Sequence, residues 1–230
     1  MPTRVGFQCL SEDTEILTCE GWKNYEEVNE GDKIKTFNLD KQTIEEKEIT
    51  YIFRKKYTGE MYNLKNRIQD QLISPKHRVV RKVFNSNKYV LEPIEDVLKI
   101  KSPIVIPVSA KNMSKDIKIS DEQIKLMAWI ISDGTIERPT KYRCCYRVSI
   151  YQSKIKNQKN YEEIKSLLKK FKLNYSEYTS ASLGDEVNRL RLDAKSSKTI
   201  HSWFGTKDNV HFIPDALLNM SERQSRLFID

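Results

Sequence analysis

Residues 120–134 read SDEQIKLMAWIISDG, and this stretch decides how the second half of the chain folds. Ser120, followed three residues later by Gln123, forms a capping box that predicts the start of a helix. Apolar residues then occur on nearly every side of the helix, which predicts that it is buried. Gly134 is a helix stop. The apolar positions are Ile124, Leu126, Met127, Trp129, Ile130 and Ile131.

The residues after this helix alternate between strand and helix patterns. Residues 142–152 alternate apolar and polar side chains, as a half-buried strand does. An amphipathic helix is predicted over 161–171, strands over 174–179 and 188–193, and a short helix over 196–204. The expected order of the whole unit is αββαββα, which contains one strand more than these segments. A faint repeat follows, because Ser221-Glu222-Arg223-Gln224 echoes Ser120-Asp121-Glu122-Gln123. A repeated unit of this kind indicates pseudo-twofold architecture, with a second repeat that is only begun by Asp230.

The first half of the chain has strand patterns throughout. Short apolar runs are separated by turn residues such as Gly21 and Asn85, which predicts a compact all-β module. The polar residues 110–118 are expected to link this module to the second half. The predicted strands cover residues 14–18, 32–37, 49–53, 61–64, 79–84, 89–91 and 104–108.

Composition and charge exclude several classes of protein. The sequence has no apolar run long enough to span a membrane and no apolar signal segment, and its four cysteines have no CxxC spacing, so we expect a cytoplasmic protein with free thiols. The net charge is +8, and residues 111–230 carry 22 basic against 15 acidic residues. A basic second half is consistent with a polyanionic partner or with a solvated basic surface.

Three residues of the first half could carry acyl chemistry. Cys9 is a potential nucleophile, and His77 in LISPKHRVV could exchange protons near neutral pH. Ser74 could orient a carbonyl through its hydroxyl. Each also has an ordinary structural reading: a small buried thiol, a hydrogen-bonded histidine and a serine in a turn before proline.

Three segments of the first half, in this order, resemble the N-terminal splicing region of an intein: CLSEDTEILT from Cys9, VNEGDKIKTFN, and LISPKHRVV. The resemblance implies a Hint-like all-β fold over residues 9–110, a splice junction at Gln8–Cys9, and catalytic roles for Cys9, Ser74 and His77. Ser74 stands where the family usually has threonine, and it keeps the hydroxyl. Splicing needs no cofactor. The closing His-Asn of an intein is absent, so a C-terminal intein segment, in cis or in trans, is an expected partner.

LMAWIISDG, residues 126–134, resembles the helix of LAGLIDADG homing endonucleases, which often lie inside inteins. The resemblance implies an α+β αββαββα repeat in which paired helices each deliver one acidic residue to a shared Mg²⁺ centre. That residue is Asp133 here, and Ala128 and Ser132 form the small face for helix pairing. The family's strands lie in the major groove of double-stranded DNA. Candidate DNA-binding residues on the predicted strands are Arg143, Arg147, Arg189 and Arg191, although ordinary exposed strands look similar.

The resulting interpretation divides the chain into a host-protein (extein) tail at residues 1–8, a splicing domain at 9–110 and an endonuclease domain at 111–230. The predicted activities are splicing at Gln8–Cys9 and Mg²⁺-dependent DNA cleavage, the latter incomplete in this chain. The alternatives are a DNA-binding or nuclease module without splicing chemistry, and an inactive intein relic.

Overall fold

The computed structural model describes residues 10–67, 69–182, 185–205 and 213–229, without the side chains of 180–182 and 185–186. The described residues form an α+β protein with several β-sheets and five α-helices. The chain divides between Met113 and Ser114 into two compact units, which we call the N-terminal and C-terminal units. Within the described ranges, no helix is both long and apolar enough to cross a membrane.

The N-terminal unit consists mainly of short antiparallel strands. Five of them form one sheet in the order β2-β1-β3-β4-β9, and β5-β6 and β7-β8 form two separate pairs. One short helix interrupts the β-structure. In chain order the elements are β1 (Ile16–Thr18), β2 (Gly21–Lys23), β3 (Lys33–Asn38), β4 (Thr43–Glu48), β5 (Tyr62–Lys65), β6 (Asp70–Ile73), β7 (Arg78–Lys82), β8 (Tyr89–Pro93), α1 (Ile94–Val97) and β9 (Lys111–Asn112).

Two strands predicted in this unit are wrong. Residues 49–53 form no strand, and the strand there is β4, which pairs with the whole of β3. The sequence of β4 is TIEEKE, which is poor in apolar residues, and Lys35 directly faces Glu46 with 2.6 Å between the charged atoms. Cross-strand charge pairs therefore replace the expected apolar alternation. Residues 104–108 also form no strand, although the Lys82 N–H donates to the Val105 carbonyl at 2.7 Å.

A small apolar cluster anchors the middle of the N-terminal unit. Ile73 at the end of β6 packs with Ile94 and Val97 of α1, and all three are buried. Val79 of β7 packs against the same cluster. The short connection between β6 and β7 is therefore held at one end by the buried Ile73 and at the other by the partly buried Val79.

The C-terminal unit has the expected αββαββα order, but its first strand, Gly134–Glu137, lies outside every strand range predicted from the sequence. A 3-10 turn at Asp215–Leu217 and a further helix follow. Its four strands form one antiparallel sheet in the order β10-β11-β13-β12. The elements are α2 (Asp121–Asp133), β10 (Gly134–Glu137), β11 (Arg147–Gln152), α3 (Gln158–Lys170), β12 (Tyr175–Ser182), β13 (Asp185–Leu192), α4 (Ala194–Phe204) and α5 (Glu222–Ile229).

The core of this unit lies between the sheet and its helices. Val148, Ile150, Leu190 and Leu192 point from β11 and β13 into one buried cluster with residues of α2, α3 and α4. We call the opposite side of the sheet the open face. Since side chains alternate along a strand, Arg147, Ser149 and Tyr151 of β11 and Arg189 and Arg191 of β13 lie on the open face.

The repeated serine motif caps two helices in the same way. Ser120 Oγ accepts a hydrogen bond from the Gln123 N–H at 3.2 Å, and Ser221 Oγ accepts one from the Gln224 N–H at 3.1 Å. The two helices begin at the same end of the unit, because Arg223 near the start of α5 contacts Asp121, the first residue of α2, at 2.6 Å. The two copies of the motif therefore start neighbouring helices, α2 and α5.

Candidate functional site

Residues 74–77 form a tight turn between β6 and β7. The His77 N–H donates to the Ser74 carbonyl at 2.9 Å, with Pro75 at the second turn position, where its fixed φ suits such a turn. Helix α1 holds the turn from outside, because the Ile94 N–H donates to the His77 carbonyl at 2.9 Å. Ser74 is completely buried. The backbone thus holds a buried hydroxyl and an imidazole in one rigid loop.

The surroundings of His77 favour the neutral form of its imidazole, because they lower its pKa. Partial burial lowers its pKa, and the neighbouring positive charge of Arg78 lowers it further. Its Nδ1 atom is buried, and no described residue hydrogen-bonds to it. A buried ring nitrogen with unused hydrogen-bonding capacity is available to a group that reaches the turn.

The segment that begins at Leu10 is antiparallel to β6 and leads away from this turn. Leu10 is paired with Ile73 in an antiparallel bridge, and the Ser11 N–H donates to the Leu72 carbonyl at 3.0 Å. Residue 10 is therefore opposite the residue that immediately precedes Ser74. The predicted junction residues, Gln8 and Cys9, lie outside the described residues.

In the C-terminal unit, Asp133 is the last residue of α2, and Gly134 begins β10 without an intervening loop. The connection is tight because a Cβ atom on Gly134 would lie 2.5 Å from the Ile130 carbonyl oxygen and 2.8 Å from the Ile130 Cα. The Asp-Gly pair therefore does more than stop a helix. It allows the helix to pass directly into the sheet with the carboxylate of Asp133 at the junction.

The carboxylate of Asp133 has one hydrogen-bond donor among the described side chains, Gln152. Gln152 Nε2 donates to Asp133 Oδ2 at 3.2 Å, and its own Oε1 accepts from the Ser153 N–H and from Asn157 Nδ2. Partial burial raises the pKa of Asp133. Sequence reasoning missed Gln152, although a signal existed: it follows Val148 and Ile150 on the core side of the strand, where a polar residue needs a partner.

The carboxylate of Asp133 has the chemistry of one Mg²⁺ ligand, and a complete site needs further ligands. Mg²⁺ commonly takes one or two carboxylates together with water and substrate phosphates. Across the described ranges, no group of three or more His, Cys, Asp or Glu residues could hold a metal ion. Asp133 supplies one carboxylate, and Gln152 fixes its orientation. The Gln152 side-chain oxygen is not a second ligand, because it already accepts two hydrogen bonds.

Of the four predicted DNA-binding arginines, two contact the carboxylate of Glu137 and two have no acidic partner among the described residues. Arg189 and Arg191 lie on the open face of β13, and neither forms an ion pair with a described carboxylate. Arg147 begins β11, with its guanidinium 3.8 Å from Glu137. On the open face, Arg189 is directly opposite Tyr151 and Tyr178, and Arg191 is opposite Ser149 and Ser176. The open face thus presents a basic surface at its centre.

Arg143 was predicted on the same strand face as Arg147, and this is wrong. The strand begins at Arg147, and Arg143 lies in a turn closed by two backbone hydrogen bonds with Thr140. Its guanidinium donates to Glu137 Oε2 at 2.6 Å, to the Cys145 carbonyl at 3.3 Å and to the Arg138 carbonyl. The alternating pattern continued into the turn, so sequence periodicity could not locate the strand start. Arg143 holds the β10–β11 connection together.

No protein-family model matches the sequence, and no curated protein is significantly similar to it. Function is therefore inferred from the chemistry and geometry of the residues described above.

Proposed function

We propose that the chain is the N-terminal part of an intein that carries a LAGLIDADG-type homing endonuclease domain. The observation that carries the splicing proposal is the pairing of Leu10 with Ile73. This pairing puts Leu10, the residue that follows Cys9 in the sequence, opposite Ile73, the residue that precedes Ser74.

The proposed first step transfers the chain from nitrogen to sulfur. The neutral imidazole of His77 takes the proton of the Cys9 thiol, and the sulfur attacks the carbonyl carbon of Gln8. The bond between the Gln8 carbonyl carbon and the Cys9 nitrogen breaks, and His77 returns the proton to that nitrogen. The product is a thioester between Gln8 and the Cys9 side chain, with a free amino group on Cys9.

The lowered pKa of His77 suits this exchange. A neutral imidazole can act as a base towards the thiol and then, once protonated in a site that disfavours the charge, gives the proton up readily to the departing nitrogen. Ser74, buried beside it, supplies a hydroxyl to hold the peptide carbonyl during the attack.

The N-terminal unit has few buried apolar side chains for its size. In the part of the chain that the structure describes, it buries only Val28, Ile73, Ile94 and Val97, whereas the C-terminal unit buries seventeen apolar residues. Large apolar side chains such as Tyr51 and Val108 are about seven-tenths exposed. This supports a C-terminal intein segment as the partner that covers them and supplies the closing residues of the splicing reaction.

The C-terminal unit is proposed to bind and cleave double-stranded DNA. The basic open face of the sheet supports contact with DNA, since Arg189 and Arg191 have no acidic partner among the described residues. Asp133, held by Gln152, would be a ligand of Mg²⁺, which supplies electrostatic stabilisation and an activated water for phosphodiester hydrolysis. Gln152 Nε2 holds one oxygen of this carboxylate through a hydrogen bond of 3.2 Å.

The second carboxylate of this site is proposed to come from beyond the described part of α5. The helices α2 and α5 start at the same end, and α2 is about 20 Å long against about 12 Å for residues 222–229. About one further turn in the direction of α5 is therefore needed to reach the level of Asp133.

Hydroxylamine treatment tests the splicing proposal and separates it from its rivals. Hydroxylamine attacks a thioester and should release residues 1–8 as the Gln8 hydroxamate, identified by mass. A DNA-binding module without acyl chemistry and an inactive relic both leave the chain intact. Cys9→Ser is the informative variant, because an oxygen ester forms more slowly and should give the same hydroxamate at a lower rate.

DNA binding and cleavage test the second domain. We expect salt-sensitive binding of duplex DNA by this chain, with a loss of affinity when Arg191 is replaced by Gln, and little Mg²⁺-dependent cutting until a second repeat is supplied. Asp133→Asn should then remove the cutting without removing DNA binding. Efficient sequence-specific cleavage by this chain as a monomer contradicts the shared-site proposal.

A further inference from the structure

A row of three side chains crosses the centre of the open face. Arg189 of β13 is directly opposite Tyr151 of β11 on one side and Tyr178 of β12 on the other. The guanidinium carbon of Arg189 lies 4.9 Å from the centre of the Tyr178 ring. The two tyrosines are 37% and 45% exposed, so the row is accessible to a macromolecule on this face.

The guanidinium of Arg189 is held in place without being neutralised. The Tyr178 ring attracts it and restricts its rotamers, as cation–π contacts do. The buried Nε–H of Arg189 has no hydrogen-bond acceptor among the described residues. The contact with the Tyr178 ring preorganises the guanidinium, which lowers the entropy lost when a partner binds.

Arg191, two residues along the same strand, is in a different environment. Its direct neighbours across the sheet are Ser149 and Ser176, which have no ring to support a guanidinium. The two arginines share a strand, a face and a charge, and they differ in how firmly the side chain is held. Arg191 is therefore a matched comparator for Arg189.

The position of the row in the sheet decides which part of DNA it would meet. Strands are spaced about 4.8 Å apart, and the major groove is about 12 Å wide, enough for a two-stranded ribbon. Four strands exceed that width, so the inner strands β11 and β13 face the base edges, and the edge strands β10 and β12 lie nearer the phosphates. Arg189 is on an inner strand and Tyr178 is on an edge strand.

We propose that Arg189 reads one guanine in the major groove and that Tyr178 is the positioning residue that orients its guanidinium. A planar guanidinium held in one orientation can donate two parallel hydrogen bonds to O6 and N7 of guanine, a pattern that no other base presents there. The proposal deepens the proposed DNA-binding function and rests on it.

Selection of bound sequences from a pool of randomised duplexes tests the proposal with the full chain at low salt. The parent protein should enrich guanine at one position, by roughly 5- to 150-fold over other bases. Arg189→Gln should abolish that enrichment. Tyr178→Ala should weaken it, while Tyr178→Phe, which keeps the ring, should restore it. Lys169→Gln, on the exposed side of α3, controls for loss of one positive charge and should leave the selected sequences unchanged.

Two results overturn the proposal in different ways. For Arg191→Gln we expect weaker binding to all sequences alike and a salt dependence lowered by about one phosphate contact. If Arg189→Gln gives the same result, Arg189 binds phosphate and does not read a base. If Tyr178→Ala leaves the guanine enrichment unchanged, Tyr178 does not position Arg189. Absence of any DNA binding by the parent contradicts the proposed function itself, whereas binding without base preference contradicts only this inference.

Discussion

Replacing Gly134 by alanine tests how tightly α2 is joined to β10. The new Cβ would lie 2.5 Å, 2.8 Å and 3.1 Å from the carbonyl oxygen, Cα and carbonyl carbon of Ile130. All three atoms belong to the helix backbone, which cannot move without loss of helical hydrogen bonds. Overpacking of this kind costs about 1–3 kcal/mol, while the restriction of the unfolded chain by alanine returns about 0.4–1 kcal/mol. From the middle of each range we expect a net loss of about 1.3 kcal/mol in the unfolding free energy of the C-terminal unit, and at most about 2.6 kcal/mol.

Gly59→Ala is a matched control for this substitution. A Cβ at Gly59 would also lie close to a neighbour, 2.7 Å from the Tyr57 hydroxyl, but that atom is the far end of a side chain that can rotate away. We expect a change within about 0.5 kcal/mol. Urea unfolding followed by tryptophan fluorescence measures the C-terminal unit through Trp129 and Trp203, which pack against its core. The N-terminal unit, which contains Gly59, is followed through Trp22 of β2. Equal stability of the Gly134→Ala and Gly59→Ala proteins would refute the tight junction.

Three further predictions follow from the hydrogen bonds and the pKa shift. Folding lowers the pKa of His77, so the unfolded chain binds more protons than the folded chain below about pH 6.5. In chemical denaturation, the stability of the N-terminal unit should therefore fall as the pH decreases through that value. His77→Gln should remove this pH dependence. Ser120→Ala and Ser221→Ala should each cost about 0.5–2 kcal/mol through loss of a helix cap, and equal stability of both variants and the parent would contradict the capping role. Gln224→Ala should cost about 1–3 kcal/mol in urea unfolding, because the buried amide of Gln224 accepts from the Ile117 N–H and donates to the Ile117 carbonyl. Arg226→Ala, on the exposed side of α5, is the control and should cost much less.

The C-terminal unit was predictable because local signals and packing agree there. Three local signals specify the same α+β arrangement. They are the cap at Ser120, the apolar residues around α2, and the alternation of Leu190 and Leu192 with two arginines. The sequence could not specify which of the alternating residues pair with the neighbouring strands of the sheet. Residues 142–146 continue the pattern of β11, but Arg143 pairs within a turn instead.

The N-terminal unit was predictable only at the level of many short strands. β4 was missed because its stability comes from pairing with β3, including the Lys35–Glu46 pair, which local apolar patterns do not report. The apolar run at residues 49–53 was mistaken for a strand because apolar character alone does not supply a pairing partner. The site at residues 74–77 could be proposed from its residue types, whereas the pairing of Leu10 with Ile73 depends on long-range contacts.

Splicing by this chain requires that Cys9 attack the peptide bond that precedes it, with His77 moving the proton. The most direct measurement is a time course of intact mass in dithiothreitol, because an external thiol cleaves a thioester and leaves an amide intact. The parent should lose residues 1–8, Cys9→Ala should retain them, and His77→Ala should release them about 10²–10⁴-fold more slowly. Release of residues 1–8 from Cys9→Ala at the parent rate, or a parent chain that keeps its full mass, would contradict the account.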